Sequence, residues 1–169
     1  RLHAAMATAT LERARATGLA VRVALAGDPS GPFAAGLRAA GFQVELQVEG
    51  DLGDRLTHAL RGPGRRIALG TDCPIFEPNW LLDAARAATP VAFGPSEDGG
   101  YWCVSVEGTG GKMDTGSVFR DIPWSTSDTL SASIEAARRH GLAVSLLPTC
   151  YDIDDASALA QLGADPRCP

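Results

Sequence analysis

The chain has 169 residues, of which 45% are hydrophobic and 21% charged, and its formal net charge is −5. This size and composition predict one soluble globular domain with a core of its own. They argue against a nucleic-acid-binding protein, because the arginines are scattered and form no basic stripe. No apolar run approaches the ~18 residues that a membrane span requires.

Helical and strand-like patterns alternate along the chain. We expect helices over residues 2–16 and 33–40, from about 51 to 60, and over 80–88, 130–140 and 156–162. We expect strands over residues 21–26, 44–48, 67–69, 91–94, 102–106 and 144–147. Strands that alternate with helices in this way are typical of βαβ units. The predicted fold class is therefore α/β, a three-layer α/β/α sandwich with a mostly parallel sheet.

The segment Gly70–Pro74, with the sequence GTDCP, directly follows the apolar run Ile67–Leu69. A short apolar run that ends in a glycine and a turn predicts a buried parallel strand. Asp72 then lies at the carboxyl end of that strand, where open α/β sheets bind ligands. An acid in this position either holds Mg²⁺ or Mn²⁺ for a phosphorylated substrate or caps the following helix. The other acidic segments of the chain favour the metal.

The segment Gly50–Arg55, with the sequence GDLGDR, follows the second predicted strand. In one interpretation it is a loop in which Asp51 is the N-cap of the next helix. In the other it is a flexible turn that directs Arg55 toward a phosphate or a carboxylate. Asp51 and Arg55 are the substrate-binding candidates of this segment.

Residues 94–102, with the sequence GPSEDGGYW, follow a later strand. In one interpretation Gly99 and Gly100 simply form a turn. However, glycines also let backbone amides approach a ligand, Asp98 can accept hydrogen bonds from sugar hydroxyls, and an aromatic ring such as that of Tyr101 can stack on a sugar or a base. We favour a binding role, with Asp98 as the group that orients or deprotonates an acceptor hydroxyl.

Residues 122–127, with the sequence IPWSTS, are less specific. Ser127 or Thr126 can cap the helix that follows. Trp124 is either a core residue or a wall of the acceptor pocket, and the sequence does not separate these two roles.

The acidic segment Asp152–Asp155, with the sequence DIDD, follows the last predicted strand. It either caps the last helix or supplies a second carboxylate to the metal of Asp72. Alternation along an extended segment places Asp152 and Asp154 on the same side. Two protein carboxylates together with substrate phosphates are a usual arrangement for Mg²⁺.

The cysteines, Cys73, Cys103, Cys150 and Cys168, show no C-x-x-C spacing, so neither a zinc site nor a redox pair is predicted. We expect Cys103 and Cys150 in the core of a reduced, cytoplasmic protein. Cys73 lies beside the candidate metal ligand Asp72 and is therefore the one cysteine considered as a nucleophile. However, no histidine lies near it in the sequence to activate its thiol.

Taken together, GDLGDR, GTDCP, GPSEDGGYW, PWST and YDIDD, in this order and spacing, resemble the bacterial rSAM/selenodomain-associated glycosyltransferase-like family. The resemblance covers about residues 2–162 and implies a GT-A-type nucleotide-diphospho-sugar transferase fold. TDCP and DIDD are more distantly similar to segments of molybdopterin and phospholactate nucleotidyltransferases. In these relatives an acid of the first motif holds the metal and an acid of the last assists it. This implies metal ligation by Asp72 and by Asp154, with Asp152 as the alternative, and substrate contacts for Thr71 and for residues 98–101 on the acceptor side.

The sequence departs from the family pattern at its beginning. The family opens with a strand and a basic loop that should bind the nucleotide phosphates of the donor, and this sequence starts after them. We therefore expect a single GT-A-like domain over residues 1–169 without its N-terminal strand and phosphate loop. Either an upstream segment of about 30 residues supplies them, or a second copy donates a strand across a homodimer interface.

The function that these observations predict is a transferase dependent on Mg²⁺ or Mn²⁺. Its donor would be a nucleotide-sugar or a nucleoside triphosphate, and it would move a glycosyl or nucleotidyl group to a small acceptor. The alternative is a non-catalytic nucleotide- or sugar-binding module of the same fold. A phosphatase-like hydrolase acting through Asp72 is a third hypothesis, which the lack of a D-x-D-x-T pair disfavours.

Overall fold

A computed structural model of the protein describes residues 2–108, 115–153, 158–160, 162 and 165. The α-helices in this part of the chain are α1 (Leu2–Ala16), α2 (Pro32–Ala39), α3 (Leu52–Ala59), α4 (Pro78–Arg86) and α5 (Thr129–Arg139), with a 3₁₀ helix over Thr115–Phe119. The strands are β1 (Arg22–Leu25), β2 (Gln43–Leu46), β3 (Gly64–Leu69), β4 (Val91–Pro95), β5 (Tyr101–Gly108) and β6 (Val144–Leu146). Of the helix predicted over residues 156–162, residues 158–160 and 162 are described and are helical, and the others lie outside the described residues.

The predicted elements are present, and their bounds differ where tertiary contacts decide them. β3 begins at Gly64, earlier than the apolar run indicates, because residues 64–66 pair with residues 106–108 of β5. The sequence does not indicate this extension, because Arg65 and Arg66 interrupt the apolar pattern. Arg65 is accommodated by bonds to the Ser105 hydroxyl at 3.0 Å and the Thr89 carbonyl at 2.8 Å.

The main sheet has four strands in the order β3-β5-β4-β6. β4 and β6 are parallel, whereas β5 is antiparallel to both of its neighbours, β3 and β4. Three of the four strands therefore run in one direction, as predicted, and β5 runs in the other. The reason is the short connection between β4 and β5, because a parallel strand needs a crossover of a dozen or more residues.

β1 and β2 form a separate parallel pair. Among the described residues, β1 pairs with β2 as its one neighbouring strand, and β3 with β5. Both strands are half-buried over most of their length, whereas every residue of β4 is buried. The additional strand that the family pattern implies stays a prediction.

Two apolar clusters lie on opposite faces of the main sheet and make the molecule three-layered. One cluster joins α1 and α4 to the sheet through Met6, Ala14, Leu81, Ala84 and Trp102. The other joins α3, the 3₁₀ helix and α5 through Leu60, Val118, Phe119 and Ala137, which pack on Val91, Phe93, Val104 and Val106. Helices on both faces of one sheet confirm the predicted α/β/α sandwich.

The cysteines correct the sequence-based expectation. Cys73 and Cys150 form a disulfide with a Cα–Cα distance of 6.7 Å, although they are separated by 77 residues in the sequence. Cys73 is therefore not a nucleophile, and the expectation of a fully reduced protein, which supported a cytoplasmic location, is wrong. Cys103 is free and buried, as expected.

None of the helices in the described ranges combines the length and the apolar character that a membrane crossing requires.

Candidate functional site

Three of the predicted site segments, those that follow β3, β4 and β6, lie at one edge of the main sheet. The carboxyl ends of β3, β4 and β6 reach this edge together with the amino end of β5. Gly70, directly after β3, donates its amide hydrogen to the carbonyl oxygen of Trp102 at 2.9 Å. Thr71 and Asp72 follow beyond the sheet, and both are exposed. This edge is where a parallel-type sheet binds ligands.

Asp72 is not a helix cap. The N-cap of α4 is Glu77, its side chain makes no capping bond, and the helix begins with Pro78. A proline in the first turn is suited to that place because it has no amide hydrogen to satisfy. Of the two roles open to Asp72 in the sequence, helix capping is therefore excluded, and its exposed carboxylate is available to a ligand.

The last acidic segment lies against Asp72. The amide of Ile153 donates a hydrogen bond of 2.8 Å to the carbonyl oxygen of Asp72. Tyr151 and Ile153 are buried, and Asp152 between them is half-buried. Asp154 lies outside the described residues, so its position relative to Asp72 stays a prediction. The structure thus brings the two acid motifs together across 80 residues of sequence.

This donor set suits a hard divalent cation that also binds phosphate. Within the described ranges, no group of three or more His, Cys, Asp or Glu residues could hold a metal ion. Asp72 is exposed, and any ligand that it contributes would be a carboxylate oxygen. Mg²⁺ in phosphate-processing sites is commonly held by one or two carboxylates, with phosphate oxygens and waters completing its coordination. The exposed carboxylate of Asp72 fits one of these ligand positions, and the second carboxylate stays a prediction.

The turn between β4 and β5 holds Asp98 at the same edge. Asp98 Oδ1 accepts a hydrogen bond of 2.8 Å from the amide of Gly100, and the amide of Gly99 donates to the carbonyl oxygen of Ser96 at 3.2 Å. Both glycine amides are therefore used within the turn. Asp98 is exposed, and its second carboxylate oxygen has no hydrogen bond to any described residue. It can accept one from a ligand.

Gly99 is required by close packing as well as by its conformation. Its φ of 90° is disfavoured for other residues. A side chain at Gly99 would also overlap the carbonyl of Ser127. In addition, the carbonyl oxygen of Gly99 accepts a hydrogen bond of 2.9 Å from the amide of Leu130. These contacts fix the turn onto the start of α5, where Asp128, and not Ser127 or Thr126, is the N-cap residue.

A change of register turns Tyr101 toward Trp124. The β4–β5 pairing shifts at Gly94 and Pro95, so that Pro95 pairs with Tyr101 and Trp102 has no partner in the register. Bulges of this kind re-aim side chains near functional sites. Trp102 consequently packs with the cluster of α1 and α4, and Tyr101 packs on the opposite face. Its ring lies 6.4 Å from that of Trp124 in an edge-on arrangement.

The polar atoms of the Tyr101 and Trp124 side chains are buried, and this burial changes the pKa of the Tyr101 phenol. Tyr101 Oη and Trp124 Nε1 are buried, and among the described residues neither has a partner within hydrogen-bond distance and geometry. Loss of water raises the pKa of the Tyr101 phenol well above its ordinary value of 10.0, although Ser133 nearby lowers it slightly. The phenol therefore stays protonated at neutral pH. Trp124, for which the sequence left two roles open, contributes its ring to the core cluster of α3 and α5.

Local structure explains most of the GDLGDR segment. Asp51 is the N-cap of α3 and forms a capping box with Asp54, with bonds of 2.9 and 3.2 Å. Gly50 has a φ of 114°, and a side chain there would overlap Asp54. Asp51 thus has the capping role that the sequence left open.

Arg55 is the member of this segment that the local structure does not explain. Its Nε atom is buried and has no hydrogen-bond partner in the part of the chain that the structure describes. Arg55 lies two residues after Gly53, which is about 200° of rotation around an α-helix. It therefore leaves α3 on a different side from the one that packs on Trp124, and the structure does not join it to the Tyr101–Trp124 contact.

The disulfide and the Ile153 amide are the parts of the site that the sequence analysis missed. Cys73 directly follows Asp72, and Cys150 lies two residues before Asp152. The presence of one cysteine beside each acid motif was a signal for their pairing.

The fold is shared with a solved structure. The chain is similar to the crystal structure of a Desulfovibrio desulfuricans G20 protein that is assigned provisionally to the nucleotide-diphospho-sugar transferases. The TM-score is 0.79 at 24% sequence identity, and the match covers 95% of this chain and 72% of that one. The chain therefore has the GT-A-like fold of this class.

The chain also matches a protein-family model. A family model described as "Uncharacterized protein conserved in bacteria (DUF2064)" matches residues 9–126, and the chain belongs to this family. No curated protein matches the chain.

Proposed function

We propose that this protein is a divalent-metal-dependent transferase that uses a nucleotide-sugar donor, or alternatively a nucleoside triphosphate, and a small acceptor. One observation carries the proposal: the hydrogen bond between Ile153 and Asp72 sets the last acidic segment beside an exposed aspartate at the ligand-binding edge of the sheet. The GT-A-like fold supports a nucleotide-sugar as the donor.

Asp72 would hold Mg²⁺ or Mn²⁺ together with Asp154 or Asp152. The cation would neutralise the donor diphosphate and the charge that develops on the leaving group. Asp98 would orient an acceptor hydroxyl through its free carboxylate oxygen, and its Asx turn holds that oxygen in place before the acceptor binds. Thr71, Asp51 and Arg55 stay candidates for substrate contact.

The five motifs of the sequence support a narrower assignment to the rSAM/selenodomain-associated glycosyltransferase-like subfamily. In that assignment the transferred group is a glycosyl group. The more distant similarity of TDCP and DIDD to nucleotidyltransferases keeps nucleotidyl transfer as the second reaction to test.

The experiment is a thermal-shift panel of UDP, GDP, ADP and CDP and their sugar conjugates, each with Mn²⁺ and with EDTA. We expect one base series to raise the melting temperature with Mn²⁺ only, because the diphosphate would bind mainly through the cation. Stabilisation of equal size in EDTA, or none with any nucleotide, contradicts the proposal. Donor consumption, followed with the stabilising conjugate and a mixture of small hydroxyl acceptors, then separates the transferase from a non-catalytic binding module.

A further inference from the structure

The Cys73–Cys150 disulfide joins the two acidic segments of the candidate site. Cys73 follows Asp72 directly, and Cys150 lies two residues before Asp152. The two cysteines are only 1% and 2% exposed. The bond is therefore an internal link beneath the site and not a surface feature.

The strand order shows why this link matters. β3 and β6, which precede the two segments, are the outer strands of the four-stranded sheet. Neighbouring strands lie about 4.8 Å apart, so outer strands three positions apart are separated by about 14 Å. The Cα atoms of Cys73 and Cys150 are nevertheless 6.7 Å apart. The segment after β6 must turn back across the end of the sheet, where Trp102 Nε1 donates to the carbonyl oxygen of Pro148 at 3.1 Å.

The two ends of the link are anchored unequally. Cys150 is held by β4 and its turn through backbone bonds to Pro95 (2.9 Å) and Glu97 (3.0 Å), and it forms a parallel bridge with Ser96. Asp72 has one such anchor, the bond from Ile153, and the next backbone bond toward β3 is at Gly70. The backbone of Asp72 therefore has fewer hydrogen bonds among the described residues than that of Cys150, and the Cys73 that follows it is held by the disulfide and by its burial in the core.

We propose that the Cys73–Cys150 disulfide is a positioning element of the cation site, which holds Asp72 against residues 151–153. Breaking it frees Asp72 and weakens the binding of divalent cations, while the sheet and its two cores persist. This inference rests on the proposed function in one respect, the assignment of the cation to Asp72.

The chemistry is a two-electron exchange with a dithiol. The dithiol attacks one sulfur and breaks the Sγ–Sγ bond, and the two cysteines take up two electrons and two protons. The dithiol is oxidised to its own disulfide, so atoms and electrons balance. Because both protein sulfurs are buried, the double variant Cys73→Ala/Cys150→Ala gives the same uncoupled state without a reduction step.

The experiment compares the oxidised protein, the protein reduced with dithiothreitol, and the double alanine variant. Hydrogen exchange of the Ile153 amide reports the link without any metal. The amides of the β4–β5 ladder report the loss of global stability that accompanies the break, and the exchange of Ile153 is compared with theirs. Mn²⁺ affinity is measured by electron paramagnetic resonance after anaerobic removal of the reductant. We expect faster Ile153 exchange and a loss of about tenfold in Mn²⁺ affinity, the size seen for groups that support metal ligands.

Cys103→Ala is the matched control, because it removes a buried thiol that is not part of the link. It should leave both readouts as in the oxidised protein. Unchanged Ile153 exchange and unchanged Mn²⁺ affinity in the reduced protein and the double variant, with the ladder intact, overturn the inference. If the oxidised protein itself binds no Mn²⁺, that result contradicts the proposed function. The exchange rate of the Ile153 amide still decides whether the disulfide holds the segment.

Discussion

The carbonyl oxygen of Phe119 lies so close to Gly53 that a β-carbon at position 53 would overlap it. The same β-carbon would lie 3.3 Å from Cζ2 of Trp124. Gly53 is therefore the point at which α3 docks on the 3₁₀ helix and on the segment before α5. Both neighbours belong to packed structure, and the carbonyl cannot move away as a flexible side chain would.

We expect Gly53→Ala to lower the free energy of unfolding by about 1–3 kcal/mol through overpacking. Gly36→Ala is the matched control, because Gly36 is also in a helix and has no atom within 4 Å of the added carbon. Alanine at position 36 should raise the free energy of unfolding by up to about 1 kcal/mol through helix propensity. Urea unfolding measures both variants, and equal effects would contradict the docking role of Gly53.

Asp72→Asn should abolish most Mn²⁺ binding and leave the fold intact. The amide keeps the size of the side chain but loses its charge, and α4 loses no cap because Glu77 is its N-cap residue. We expect a fall in Mn²⁺ affinity of tenfold or more and a change in unfolding free energy within about 0.5 kcal/mol. Asp83→Asn, an exposed aspartate within α4, is the control for charge alone. Normal Mn²⁺ binding by Asp72→Asn would remove this residue from the site.

The disulfide should contribute strongly to stability. It closes a loop of 77 residues, and cross-linking a loop of that length restricts the unfolded chain by an amount worth about 4 kcal/mol. Urea unfolding with and without dithiothreitol measures the difference, and a peptide mass map without reduction shows the linked pair. The Cys103→Ala variant should respond to the reductant by the same amount. A stability that the reductant does not change would mean that the bond is not formed in solution.

The free energy of unfolding should fall at alkaline pH, because two buried groups, Cys103 and Tyr101, lose their protons more readily in the unfolded chain. Burial raises the pKa of the Cys103 thiol and of the Tyr101 phenol above their ordinary values of 9.0 and 10.0. A group whose pKa is raised in the folded state contributes its full stability below the unfolded-state pKa and loses it as the pH rises. The free energy of unfolding should therefore decline from about pH 9 upward.

Single variants separate the two contributions to this decline. Cys103→Ala should remove the part that begins near pH 9, and Tyr101→Phe the part that begins near pH 10. Tyr101→Phe should also cost little at pH 7, because the lost hydroxyl group is buried and forms no hydrogen bond within the described ranges. Urea unfolding from pH 7 to 11 measures both effects. An identical pH profile in the wild type and both variants would show that neither group is titrating.

The sequence by itself determined the order of helices and strands, the layered α/β class and the place of the acid motifs. Apolar runs mark buried strands, and an acid directly after such a run lies at a strand end whichever strands become neighbours. Asp72, Asp98 and the DIDD segment could be chosen as candidates for this reason.

Only the tertiary structure decided which of these residues meet and which have local roles. The pairing of Cys73 with Cys150 and the bond from Ile153 to Asp72 join residues about 80 positions apart. The register shift that turns Tyr101 toward Trp124 depends in the same way on how β4 aligns with β5. The spacing of apolar residues in the sequence indicates whether a segment is a helix or a strand. A contact between distant segments is determined by the packing of the whole sheet.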